Sequence, residues 1–253
     1  MLGVVGFRLL GTRTELGRNF DFDAVLTGLA LRGAQRSSSN ALLVAISSTS
    51  FVLFGGLLIL AALLRRRLDL ALAAALTLGG SFATTELLKK TLPAREGVPD
   101  FLANGFPSGH STVALALGLS YVLLAPERLR SLAVAGATVY AAAMGAVLVL
   151  NAWHFPSDVG GGFCVATAWA AASAQLVRRP AERAVPAILL AAAAVLVALA
   201  AVAAVHLRPG LSFTLTSHHR LFEAAIGIGI LALVCCVSFA YAIAARSAAA
   251  TRS

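Results

Sequence analysis

Lysine is nearly absent from this sequence: Lys89 and Lys90, side by side, are its only two, and arginine carries the remaining positive charge. Charge as a whole is scarce, at 12% of 253 residues, where a soluble domain has roughly one quarter. That scarcity excludes an ordinary soluble domain. The 59% of hydrophobic residues fall in long uninterrupted blocks, which bilayer spans need and a single packed core does not. Cysteine is limited to Cys164, Cys235 and Cys236, all inside apolar blocks. There is therefore no disulfide framework and no cysteine-based metal site, and the three read as small packing residues. No basic start followed by an apolar core and a cleavage site marks a secretory signal peptide, and no repeat of solenoid length is present.

What is abundant is apolar sequence punctuated by arginine. Seven stretches read as membrane spans, at about 41–64, 70–88, 109–125, 131–150, 159–177, 184–206 and 221–245. The arginine groups between them are Arg65 to Arg67, Arg128 with Arg130, Arg178, Arg179 and Arg183, and Arg246 with Arg252. They occupy alternate ends of the spans. If these groups are cytoplasmic, loops 89–108, 151–158 and 207–220 share the outer face without conflict. The net charge of +9 thus serves topology. No basic stripe is long enough to follow a phosphate backbone, so nucleic acid is not expected as a partner. Residues 1–40 read as an amphipathic N-terminal segment, facing outward in this topology despite its arginines. Met1 to Leu10 resembles the tail of a first span or, alternatively, an interfacial segment.

The outer loops hold what a phosphate site requires. Residues 89–110 read KKTLPAREGVPDFLANGFPSGH and 151–158 read NAWHFPSD, each followed directly by a span. Pro107-Ser108-Gly109 sets a tight turn at a helix N-terminus, where free N–H groups and the helix dipole attract anions. Gly109 allows close approach to the backbone, and Ser108 offers a hydroxyl donor. His110 stands where it can protonate a departing oxygen. His154 and Asp158 are four residues apart, a spacing that suits a histidine nucleophile oriented by a carboxylate. Lys89, Lys90 and Arg95 are placed to neutralise phosphoryl oxygens.

On these residues the chain resembles the type 2 phosphatidic acid phosphatase family, which shares its site with vanadium haloperoxidases and bacterial acid phosphatases. The family pattern has three parts: Lys, six residues, Arg-Pro; then Pro-Ser-Gly-His; then Ser-Arg, five residues, His, three residues, Asp. The middle part is complete as Pro107-Ser108-Gly109-His110, and His154 and Asp158 match the third in spacing. Two departures stand out. Lys89 to Arg95 encloses five residues and Lys90 to Arg95 four, with Glu96 in place of proline. The Ser-Arg of the third part falls on Val147-Leu148, so one phosphate-binding arginine is missing. A substitute is sought in the last outer loop, among Arg208, His218, His219 and Arg220.

The resemblance implies an all-α, polytopic transmembrane bundle with an acid phosphatase-like core over 41–180 and two added C-terminal helices over 181–253. It also implies a cell-membrane enzyme whose site lies at the outer face, needing no metal and no cofactor. The implied chemistry is hydrolysis of a lipid phosphate, phosphatidate-like or a polyprenyl diphosphate, through a phosphohistidine. His154 is then the nucleophile, His110 the acid and base, and Asp158 the orienting carboxylate. Lys89, Lys90, Arg95, Ser108 and Gly109 hold the phosphate. The rival reading is a non-catalytic relative that binds a lipid phosphate or a membrane partner. A transporter is disfavoured because ionisable residues are almost absent from the spans.

Overall fold

The computed structural model describes residues 2–34, 48–177 and 215–250, with side chains for 2–29, 51–177 and 223–243. The expected span at 184–206 and the groups Arg178, Arg179, Arg183 and Arg208 lie outside the described residues, as do the side chains of His218, His219, Arg220 and Arg246. Among the described residues the ordered elements are helices, with no strand.

Two short helices open the chain, α1 (Leu2–Arg13) and α2 (Glu15–Ala34). The break between them is set by Thr14, whose hydroxyl accepts from the Gly17 N–H at 3.1 Å and so caps α2. At 12 residues, α1 is only about 18 Å long and too short to cross a bilayer core. In α2, Asp21, Ala24, Val25 and Gly28 are all buried. Their spacing is that of one helix face, so the amphipathic segment turns this face inward.

The apolar blocks follow as α3 (Ser48–Leu64), α4 (Leu68–Thr91), α6 (Gly109–Leu124), α7 (Glu127–Leu150), α8 (Pro156–Ser173) and α9 (Leu215–Ala250), with a single-turn α5 (Asp100–Ala103) in the connection before α6. Among the described residues three helices are long and apolar enough to cross a membrane, at Leu68–Thr91, Glu127–Leu150 and Glu223–Ile243. Phe51–Leu64 and Gly109–Leu124 are shorter apolar helices. The apolar run of α6 begins at Val113, after the polar turn Gly109-His110-Ser111-Thr112. The last helix starts earlier than the apolar pattern suggests, so Glu223 lies two turns inside it rather than at its N-terminus.

The core lies between α4, α6, α7, α8 and α9, where Leu115, Leu119, Leu123, Met144, Leu148 and Phe163 are fully enclosed. Helices approach closely through small residues. A methyl group on Gly118 would stand 2.8 Å from Ala137 Cβ, which is how α6 and α7 come together. Trp169 of α8 lies over Gly80 of α4 and donates its indole N–H to Thr84 Oγ1 at 2.9 Å.

One end of this bundle is basic. Arg65 donates to the Leu124 carbonyl at 3.1 Å, Arg67 pairs with Asp69 at 2.9 Å, and Arg130 donates to the Ala125 carbonyl at 3.2 Å. Arg65 and Arg130 thus take up carbonyls left over at a helix C-terminus. The other end gathers the C-termini of α4 and α7, the N-termini of α6 and α8, and the two N-terminal helices. The α1 helix packs on α8, while α2 packs on α7 and α9.

Candidate active site

The end opposite Arg65, Arg67 and Arg130 collects His110 and His154. The C-terminal turn of α4 carries Lys89, whose ammonium bonds Glu86 one turn earlier at 2.9 Å, the helical pairing expected of these residues. A methyl group on Gly109 would stand 3.1 Å from Lys89 Nζ, so the ammonium lies beside the first residue of α6. Lys90, a third of a turn round the helix, is exposed. Of the two lysines, the structure brings Lys89 to the loop.

The turn before α6 is fixed from two sides. Ser108 is fully buried, and its hydroxyl caps α6 by accepting from the Ser111 N–H at 3.4 Å. Its carbonyl accepts from Thr112 and Ser111 hydroxyls at 2.8 and 3.1 Å, and its N–H donates to the Asp158 carbonyl at 2.9 Å. Ser108 was expected as a phosphate donor; its observed place is that of a buried cap tying the turn to α8. The first N–H groups of α6, at Gly109 and His110, are those a helix start leaves without an intrahelical partner.

His110 is half-buried beside Trp153, their rings meeting edge to face at 6.1 Å. Burial holds its pKa below the ordinary value of 6.5, and the charges of His154 and Lys89 push in the same direction. The two histidines and Lys89 therefore share one electrostatic neighbourhood.

His154 precedes α8, whose start follows local rules: Pro156 stands at the first helical position and the Asp158 carboxylate reaches back to accept from the Phe155 N–H at 3.1 Å. That same oxygen, Oδ2, is 3.7 Å from His154 Nδ1. Asp158 is 1% exposed. Gly105 lies against both groups: a methyl there would be 2.7 Å from Asp158 Oδ2 and 3.2 Å from His154 Nδ1. A side chain at 105 is excluded by the pair.

Arg95 is the departure from expectation. It is buried beneath the His154 loop, with Nη1 donating to Gly11 O at 3.2 Å and Asp21 Oδ2 at 2.9 Å. Its Nη2 donates to Ser157 Oγ at 3.0 Å and Asp158 Oδ1 at 3.2 Å. The guanidinium lies 4.1 Å over the Phe155 ring. Four of the five N–H donors of an arginine are thus engaged inside the protein, which places Arg95 under the His–Asp pair rather than in the phosphate cradle. Leu148, at the position of the missing arginine, is fully buried in the core.

Sequence reasoning missed the N-terminal contribution. Asp21 is 2% exposed and accepts from the Ser157 N–H at 3.1 Å and from its hydroxyl. Burial raises its pKa, with the bonds from Ser157 and Arg95 opposing that rise. Arg8 of α1 donates to the Pro93 carbonyl and lies 5.4 Å over the Phe106 ring, next to the Ser108 turn. The signal for Asp21 is a carboxylate on the otherwise apolar stripe of α2, at the spacing 21, 24, 25, 28.

Residues 80–182 match the family model of the PAP2 superfamily. No curated protein and no solved structure matches the chain. The matched segment contains Lys89, Arg95, Ser108, Gly109, His110, His154 and Asp158, and the match is consistent with the type 2 phosphatidic acid phosphatase family. The match over residues 80–182 supports a phosphatase-type activity in general, on a helical membrane fold.

Proposed function

We propose that this protein, whose residues 80–182 match the PAP2 superfamily, is a multi-pass membrane enzyme that hydrolyses a lipid-borne phosphate through a phosphohistidine, without a metal ion, at the extracytoplasmic face. The observation that carries the reading is the gathering of Lys89, Gly109, His110 and His154 at one end of the bundle, with Asp158 behind His154. The arginines at the opposite end suit a cytoplasmic face. With that orientation His110 and His154 face outward, as the reading requires.

In the proposed cycle the phosphoryl oxygens sit against the Lys89 ammonium and the first N–H groups of α6. His154 has Nδ1 turned toward Asp158, which leaves Nε2 to attack phosphorus. As the P–N bond forms, the P–O bond to the lipid breaks, and His110 gives its proton to the departing oxygen. A water molecule then attacks phosphorus, His110 takes its proton, and the P–N bond breaks to release phosphate. The substrate class is a phosphatidate-like monoester or a polyprenyl diphosphate, whose head group reaches the outer boundary while its chains stay in the bilayer.

Phosphate release from short-chain phosphatidate and from a polyprenyl diphosphate, by purified protein in detergent with EDTA, tests this reading against His154→Ala. Release that survives EDTA and vanishes in the variant supports it. Release no greater than that of a folded His154→Ala variant overturns it. A second reading, a non-catalytic relative that binds a lipid phosphate, is favoured by one observation: the arginine of the third motif is replaced by the buried Leu148 while Arg95 is engaged elsewhere. Binding of both lipids without turnover would select it.

A further inference from the structure

Three charged side chains meet beneath His154 where water does not reach: Asp21, Arg95 and Asp158 are 2%, 7% and 1% exposed. Arg95 bonds both carboxylates, at 2.9 Å to Asp21 and 3.2 Å to Asp158. One cation between two anions leaves the trio with a net charge of minus one. If Arg95 bonded Asp158 alone, the pair would be neutral, and a neutralised carboxylate does little to stabilise positive charge on a neighbouring imidazole.

We propose that Asp21 is a positioning residue that shares Arg95 with Asp158, so that one net negative charge remains beneath His154 while its ring carries the phosphoryl group. This rests on the phosphatase reading. Asp21 lies outside the matched segment 80–182, on a helix that the motifs do not include.

The surroundings are built for this carboxylate. Asp21 accepts from the Ser157 N–H, the Ser157 hydroxyl and Arg95, a full set for an anion held away from water. Gly11 leaves the room: a methyl there would be 2.6 Å from Asp21 Oδ2, and the Gly11 carbonyl itself accepts from Arg95. Arg8 from α1 interacts electrostatically with Arg95 and Asp158, and Lys89 from α4 and His154 act on His110 from α6. Arg8 and Lys89 add positive charge on the same side, and this makes the second carboxylate the larger part of the balance.

The test compares wild type, Asp21→Asn and Asp21→Asn/Arg95→Gln in detergent, each read in two ways. NMR of labelled histidine, assigned with His154→Ala, gives the pH midpoint at which the His154 ring titrates. Steady-state phosphate release gives kcat and KM. Asp21→Asn removes the net negative charge and is expected to move the midpoint to lower pH by about one pH unit. It is also expected to cut kcat about tenfold with KM within about twofold. Adding Arg95→Gln leaves Asp158 as the trio's one charge, so the midpoint returns close to that of wild type. An unmoved midpoint in Asp21→Asn, or a double variant as displaced as the single one, overturns the proposal. Should Asp21→Asn not fold, a double variant displaced by a full pH unit does the same. A wild type that releases no more phosphate than His154→Ala defeats the phosphatase reading instead, and the NMR midpoints still decide the role of Asp21.

Discussion

His154 Nδ1 lies 3.7 Å from Asp158 Oδ2 and has no hydrogen-bond partner among the described residues. The gap is wider than a hydrogen bond, because Oδ2 already accepts from the Phe155 N–H and Oδ1 is held by Arg95. The carboxylate is fixed first and the imidazole is free to close onto it. Catalytic contacts often tighten in this way once substrate is bound.

Gly105 controls whether that closure is sterically open. A methyl group at 105 would stand 2.7 Å from Asp158 Oδ2 and 3.2 Å from His154 Nδ1, against both of the groups that must meet. Gly105→Ala is expected to lower kcat about a hundredfold or more while the protein stays folded in detergent. Steady-state phosphate release together with a thermal unfolding scan checks both halves. Unchanged kcat would place the two groups farther apart during the reaction than they are here.

The two lysines are expected to behave differently. Lys89 lies beside Gly109, whereas Lys90 is exposed. Lys89→Ala removes a charge-assisted contact to the transferring phosphoryl group, worth about 3 kcal/mol, or roughly a hundredfold in kcat/KM. Lys90→Ala should change kcat/KM by less than about threefold, the size of a screened surface charge effect. Equal losses in the two variants would mean that α4 presents a different face to the substrate.

His110 sets the pH range. Its pKa is held below 6.5 by burial and by the charges of His154 and Lys89, and in the proposed role of general acid it must carry a proton. The protonated fraction therefore falls as pH rises through a value under 6.5, so the basic limb of kcat/KM should lie on the acid side of neutrality. Lys89→Met removes one of the depressing charges and should shift that limb to higher pH while lowering the rate. A basic limb above pH 7 in wild type would assign the proton to another group.

Restoring the family's arginine at 148 should fail. Leu148 is 0% exposed and lies in the main core, so Leu148→Arg buries a cation among apolar side chains and overfills a packed site. The expected loss is several kcal/mol, seen as aggregation or a large drop in unfolding temperature, with no gain in phosphate release. A folded variant of higher activity would show that the helix can turn this position toward the site.

Much of this was legible in the sequence. Apolar blocks of span length became α4, α6, α7, α8 and α9, since a helix that buries its backbone in lipid leaves few alternatives. His110, His154 and Asp158 were legible because helix starts fix their local geometry within a few residues. The position of Arg95 was not, because its partners are decided by distant chain: Gly11 and Asp21 lie 84 and 74 residues away. Motif spacing assigned that arginine to the phosphate, and burial assigned it to two carboxylates. The N-terminal stretch looked amphipathic from its composition, but which face turns inward depends on the concave surface offered by α7, α8 and α9.

The sharing of Arg95 between Asp21 and Asp158 bears on how this protein can be taken apart. The recognisable region begins at residue 80, yet its buried arginine is half-neutralised from α2. A chimera joined at that boundary would carry Arg95 into a new host without its second anion, and with a side chain wherever the host lacks the equivalent of Gly11. Exchange of this matched region between relatives is therefore expected to work only when the first two helices travel with it. The transferable unit is larger than the part that sequence comparison can see.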